Sequence, residues 1–204
     1  MPAIENRVRF DDYGYALAPG DPRLQPVISA GKKPQFAHWR AARAFEKMRA
    51  AALVDGFDLK VGSGWRPIRF ETRAQYEAFL IQRYDSVAEG RKWLGWKGGH
   101  NLGLNLDIVG EGLEIKSATT EAQKRLPVYR WLVDNAYRFG FTPYLAEAWH
   151  WELNVGKDKW EDLPPSWGKR IAAGLGVAAA IAAGVFLYRR RRPRVVVVVE
   201  DDKS

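Results

Sequence analysis

The sequence predicts an α+β domain, a small antiparallel sheet flanked by helices, with a C-terminal membrane-spanning helix appended. Three observations carry this. Apolar residues recur at helical spacing in three segments and alternate at strand spacing in three others. A run of 18 residues, 171–188, contains no charge. The 204 residues are 47% hydrophobic and include 9 Trp, 8 Tyr and 9 Phe, enough apolar matter for a core and too much for a disordered chain.

The elements follow in chain order. "PQFAHWRAARAFEKMRAAALVDG" is alanine-rich and places Phe45, Met48 and Ala52 on one stripe, which predicts a helix stopped at Gly56. "FDLKVGSGWRP" puts Phe57, Leu59 and Val61 on one face of a strand and breaks at Gly62, Gly64 and Pro67. "RFETRAQYEAFLIQRY" returns to helical spacing through Tyr76, Phe79, Leu80 and Arg83. The glycine-rich "GRKWLGWKGGHNLG" leads into a strand, "LNLDIVG". "PVYRWLVDNAYRFG" predicts a helix with Pro127 in its first turn and Gly140 as its stop. "AWHWELN" alternates as a final strand. No internal repeat is present.

The expected domain covers residues 1–162, with a linker at 163–170, a membrane helix at 171–188 and a basic-then-acidic tail at 189–204. At about 1.5 Å per residue the uncharged run would span about 27 Å, close to a bilayer's hydrocarbon core. An alanine-rich core helix is the alternative, but Lys169 and Arg170 before the run and "RRRRPR" after it resemble interfacial anchors. Gly176, Ala180 and Gly184 form a small-residue row that suggests a weak homodimer through this helix. The arginine cluster favours a cytoplasmic C-terminus with the domain on the wall or periplasmic side, while "MPAIENRVRFDDYGY" lacks the apolar region of a signal peptide. Those two expectations pull against each other.

Charge excludes less than it first suggests. The net charge is +8, but residues 168–204 hold eight basic and three acidic side chains, so +5 of it belongs to the tail. Nucleic-acid binding by the domain is therefore not expected. There is no cysteine, which rules out disulfides, thiolate metal sites and a cysteine nucleophile.

Only three histidines occur, His38, His100 and His150, and the last stands in "EAWHWEL" between two tryptophans and two acids. Strand alternation sends Trp149, Trp151 and Leu153 to one face, and His150, Glu152 and Asn154 to the other. In "GGHNLGLNLDIVG", Leu104, Leu106 and Ile108 point one way and Asn105, Asp107 and Val109 the other, while a turn at Gly103 can fold His100 back beside Asp107. His100, Asp107 and His150 could thus meet as a three-ligand N/O metal site, which suits Zn²⁺ with a fourth position left for water. Taken singly, the aspartate could be a turn cap and each histidine a hydrogen-bonded core residue.

The order and spacing resemble a known family. "HNLGLNLD" and "EAWHWE", with "SGWRP" upstream, are similar to the zinc D,D-peptidases of the VanY D-alanyl-D-alanine carboxypeptidase type, over residues 36 to 154. The resemblance implies His100, Asp107 and His150 as zinc ligands, Glu147 as catalytic base, and Arg66 as a positive group at the scissile carbonyl. It implies a peptidoglycan stem peptide as substrate. Phage-type L-alanyl-D-glutamate endopeptidase activity and a non-catalytic wall-binding module are the alternatives. Three positions depart from the family pattern and touch the pocket: Gly98, Asn105 and Glu71. Glu152 is expected to support the site or face solvent rather than to bind metal. His38 is expected to be an ordinary helical residue.

Overall fold

The computed structural model describes residues 13–159 and 163–164. The run 171–188 and the tail 189–204 lie outside those residues. Among the described residues no helix is long and apolar enough to cross a membrane.

Two antiparallel sheets and several helices make up the fold, in agreement with the α+β expectation. A hairpin, β1 (Leu24–Val27) and β2 (Gln35–His38), precedes the long helix α1 (Trp39–Val54). The second sheet has the order β3-β4-β6-β5, from β3 (Lys60–Ser63), β4 (Asn105–Val109), β6 (His150–Leu153) and β5 (Phe141–Pro143), each neighbour antiparallel. Between β3 and β4 lie α2 (Arg73–Tyr84), α3 (Val87–Arg91) and the single turn α4 (Gly99–Leu102). The short α5 (Thr120–Gln123) and α6 (Pro127–Asn135) connect β4 to β5.

The predicted apolar faces form the core. Phe45, Met48 and Ala52 of α1 are fully buried against Leu59, Val61, Leu106, Ile108, Leu132, Phe141 and Trp151. Burying so many large side chains removes apolar surface from water, the main favourable term in folding. α2 is started by a capping box: Thr72 accepts from the Gln75 backbone N–H and the Gln75 side chain returns to the Thr72 N–H. Pro127 occupies the first turn of α6, and Gly140 closes the following 3-10 turn with φ 87°.

One boundary differs from the prediction and moves a residue. The alanine-rich segment read as a single helix begins as strand β2, and α1 starts only at Trp39. His38 is therefore not helical. It is buried at the strand end, caps α1 by accepting the Arg40 N–H at 3.2 Å, and donates its own backbone N–H to Gly103. The alanine-rich stretch begins only after His38 and is helical, as alanine favours; Gln35–His38 holds a single alanine, and pairing with β1 makes it a strand.

Candidate metal centre

Alternation and register build the centre. In the β4–β6 pair, Asp107 lies opposite His150 and Asn105 opposite Glu152. Directly opposed residues share one face of the sheet with Cβ atoms about 5 Å apart. Leu106 and Ile108 on β4, with Trp151 and Leu153 on β6, fill the other face and are buried. The tryptophans thus anchor the strand while their alternation turns His150 toward Asp107.

His100 arrives from α4. The chain reverses at Gly103, with φ 70°, and a Cβ there would lie 2.5 Å from the His38 backbone nitrogen. Left-handed backbone and close approach together require glycine. The "SGWRP" segment is laced to the same turn: Arg66 N–H donates to the His100 carbonyl at 3.0 Å, and Asn101 Nδ2 donates to the Arg66 carbonyl at 2.9 Å. A bulge at Gly62 resets β3 so that Ser63 faces Asp107.

Three donor atoms converge. His100 Nε2 lies 3.3 Å from His150 Nδ1 and 3.3 Å from Asp107 Oδ1, and the last two are 3.1 Å apart. Zinc bonds of about 2.0–2.1 Å at the tetrahedral angle place neighbouring donors about 3.3 Å apart, so this triangle has the size of a zinc face. His100, Asp107 and His150 are the group among the described residues able to hold a metal ion, and all three are buried.

Protonation agrees with that reading. Burial pushes His100 down to about 4, with Arg66 acting in the same direction against the pull of Asp107. Burial alone would raise the Asp107 carboxyl, but the facing imidazoles hold it well below the usual carboxylate range. Neutral imidazole and ionised carboxylate are the forms a cation binds. His100 Nδ1 also lies 2.7 Å from the Gly64 carbonyl, so its proton belongs there and Nε2 stays bare.

The remaining predicted residues come to the rim. Glu147 sits in a turn before β6, its N–H on the Tyr144 carbonyl and its carbonyl receiving the His150 N–H. A regular strand would send Glu147 and His150 to opposite faces; the strand begins only at His150, and Glu147 Oε2 is 3.6 Å from His150 Nδ1. Arg66 Nη2 donates to Asp107 Oδ2, the oxygen turned away from the donor triangle, and Arg66 Nε donates to Ser63 Oγ at 2.8 Å. The Arg66 side chain is about half exposed (46%). Glu152 Oε1 lies 3.2 Å from His150 Nε2 and 2.9 Å from Asn105 Nδ2, which puts it beside the site rather than in it.

Sequence reasoning missed Ser63 and the Gly64 carbonyl as supports. Both lie within the quoted "SGWRP" stretch, so a signal was present, but a backbone carbonyl has no residue type to read.

Comparison with known proteins identifies the family. The family model described as VanY, D-alanyl-D-alanine carboxypeptidase, matches residues 35–160, more than half of the chain. A D-alanyl-D-alanine carboxypeptidase of Enterococcus faecalis (strain ATCC 700802 / V583) is 35% identical over 120 residues, covering 50% of this chain and 42% of that protein. The chain thus spans less than half the length of that relative. The LdcB LD-carboxypeptidase shares the fold, with a TM-score of 0.52 and 22% identity over 72% of this chain and 73% of that one. VanYB in complex with D-alanine-D-alanine gives 0.45 and 22% over 74% and 87%.

Proposed function

This chain belongs to the VanY D-alanyl-D-alanine carboxypeptidase family, and from that premise we propose that it is a zinc-dependent peptidase acting on peptidoglycan stem peptides. The preferred reaction is removal of a terminal D-alanine. The observation that carries this reading is the buried triangle of His100 Nε2, His150 Nδ1 and Asp107 Oδ1, with edges of 3.1 to 3.3 Å.

A zinc ion held by these three residues supplies Lewis acidity toward the peptide carbonyl and lowers the pKa of water toward about 7. The chain's own groups do the rest. Glu147, its carboxylate 3.6 Å from His150 Nδ1, accepts the proton of the attacking water at Oε2 and passes it to the leaving amine. Arg66 remains charged throughout and balances negative charge that develops on the carbonyl oxygen. In the free protein its guanidinium donates to Asp107 Oδ2, at the edge of the donor triangle. Trp149 and Trp151, buried behind the strand, hold His150 in place.

The uncharged run 171–188, between Lys169–Arg170 and the arginine cluster, supports a membrane tether that keeps the domain near the wall. The wall or periplasmic side is the location consistent with a stem-peptide substrate.

Digestion of defined muropeptides, followed by product mass, tests the function. Loss of one alanine from the pentapeptide stem is the expected result. Cleavage between L-alanine and D-glutamate would make the protein an endopeptidase, and zinc binding without any hydrolysis would make it a wall-binding module.

A further inference from the structure

We propose that Glu152 and Asn105 form a positioning relay that holds His150 with Nδ1 turned to the cation, and thereby sets the metal affinity of the site. This rests on the zinc reading above. A neutral imidazole carries one proton, and a nitrogen that binds metal cannot carry it. His150 Nδ1 faces His100 and Asp107, so its proton sits on Nε2 and, buried, needs an acceptor.

Glu152 Oε1, 3.2 Å away, is that acceptor. Asn105 Nδ2 is 3.1 Å from the same ring nitrogen, but an N–H cannot accept from an N–H, so it donates instead to Glu152 Oε1 at 2.9 Å. Reversing the Asn105 amide would press its oxygen against Glu152 Oε1, two acceptors face to face. The order of donation is therefore Asn105 to Glu152, with His150 donating to the same oxygen.

Two further features lock the relay. Asn105 and Glu152 are cross-strand partners, two residues along from the Asp107–His150 pair, so the register that assembles the ligands assembles their support. Asn105 is buried where Gly99 leaves room, since a Cβ at that position would run into the Asn105 carboxamide. The two histidines are thus oriented by different devices. His100 leans on a backbone carbonyl that no substitution removes, whereas His150 leans on two side chains. That difference makes the relay separable by mutation.

The test uses the full chain, stripped of metal and titrated with Zn²⁺ against a chromophoric chelator, with Co²⁺ absorption as a second readout of coordination. Glu152→Ala is expected to weaken zinc binding about 10- to 100-fold and to change the cobalt bands. Glu152→Gln, which keeps an acceptor oxygen, should recover part of the loss. Asn105→Ala should weaken binding by less than Glu152→Ala. The metal-free melting temperature of Glu152→Gln, which keeps an acceptor for both donors, should stay close to wild type, while Glu152→Ala and Asn105→Ala should each lose a few degrees. Zinc binding by Glu152→Ala within twofold of wild type overturns the relay. Equal losses in Glu152→Ala and Glu152→Gln, accompanied by a lower metal-free melting temperature in Glu152→Gln, overturn it too, because they indicate a packing role. If Glu152→Ala does not fold, Glu152→Gln and Asn105→Ala decide by the same criteria. A wild-type chain that takes up no zinc fails at the level of the peptidase reading itself, which separates the two failures.

Discussion

The sheet face around His100, Asp107 and His150 and the helical flank of α2 and α3 are built by opposite rules. On the sheet face, polar atoms are buried and each has a named partner: His100 on Gly64, Asp107 on Arg66, His150 on Glu152. On the flank, few chains are buried. Tyr76 and Leu80 are the buried residues of α2 and Gly90 that of α3, where a Cβ would lie 2.8 Å from Leu80 Cβ. Exposed Ile81 and an open groove of about 610 Å³, bounded by Phe70, Glu71, Gln75 and Phe79, complete that side. Tyr144 ties the flank to the centre, its hydroxyl donating to the Lys92 carbonyl at 3.1 Å while its ring stands edge-on to His150. The difference teaches where precision is concentrated. A buried polar cluster tolerates little displacement because each lost partner leaves an unsatisfied group, whereas an exposed helical face can shift at small cost.

The sharpest way to break the contrast is to remove a donor. Asp107→Ala should abolish stoichiometric zinc uptake and, with it, hydrolysis; metal analysis of the purified variant checks this, and retained zinc would show that the triangle is not the binding unit. Glu147→Ala comes next. It should lower turnover by about 10²- to 10⁴-fold, the usual worth of a general base, while zinc stays bound. Unchanged turnover would move the proton transfer to another group.

Acid should unfold the metal-free centre before the flank is affected. His100 is held at about 4 against its ordinary 6.5, chiefly by burial, among Asp107, His150 and Arg66. Below 6.5 the unfolded chain takes up a proton that the folded chain refuses, so stability is full above that value and falls as the pH drops toward 4. The loss should reach about 3 kcal/mol. Denaturant melts of chelator-treated protein at several pH values measure it, and a flat profile from 7 to 4 would contradict the neutral assignment.

On the flank, Leu80→Ala should cost about 2 to 5 kcal/mol and Thr72→Ala, which removes the α2 cap, about 1 kcal/mol. Neither should shift zinc affinity. A zinc affinity that followed Leu80→Ala would mean that the two regions are one cooperative unit.

Much of this is legible in the residue pattern alone. The stripe Phe45, Met48, Ala52 and the alternation of Leu104, Leu106 and Ile108 are local patterns, and the structure buries those faces as the spacing implies. His100, Asp107 and His150 could be named because two alternating strands and a glycine turn leave those side chains on polar faces, and a family resemblance supplied their grouping. Strand β2 is hidden at the start of a segment that reads as one helix, a reading that puts His38 in the wrong element. β1 and β5 gave no periodic signal, being four and three residues long with a proline in each. The departure at Asn105 could be noticed in the sequence, but its meaning could not, because its partner is 47 residues away.

Which side chains share a face follows from residue order, since helical and strand periods are set by backbone geometry within a few residues. What those faces meet follows from the assembled fold: Asp107 stands opposite His150, Gly64 offers its carbonyl to one imidazole, and Glu152 offers its carboxylate to the other. Register between distant strands follows from packing of the whole core. A slip of one residue would turn the same polar side chains into the apolar layer.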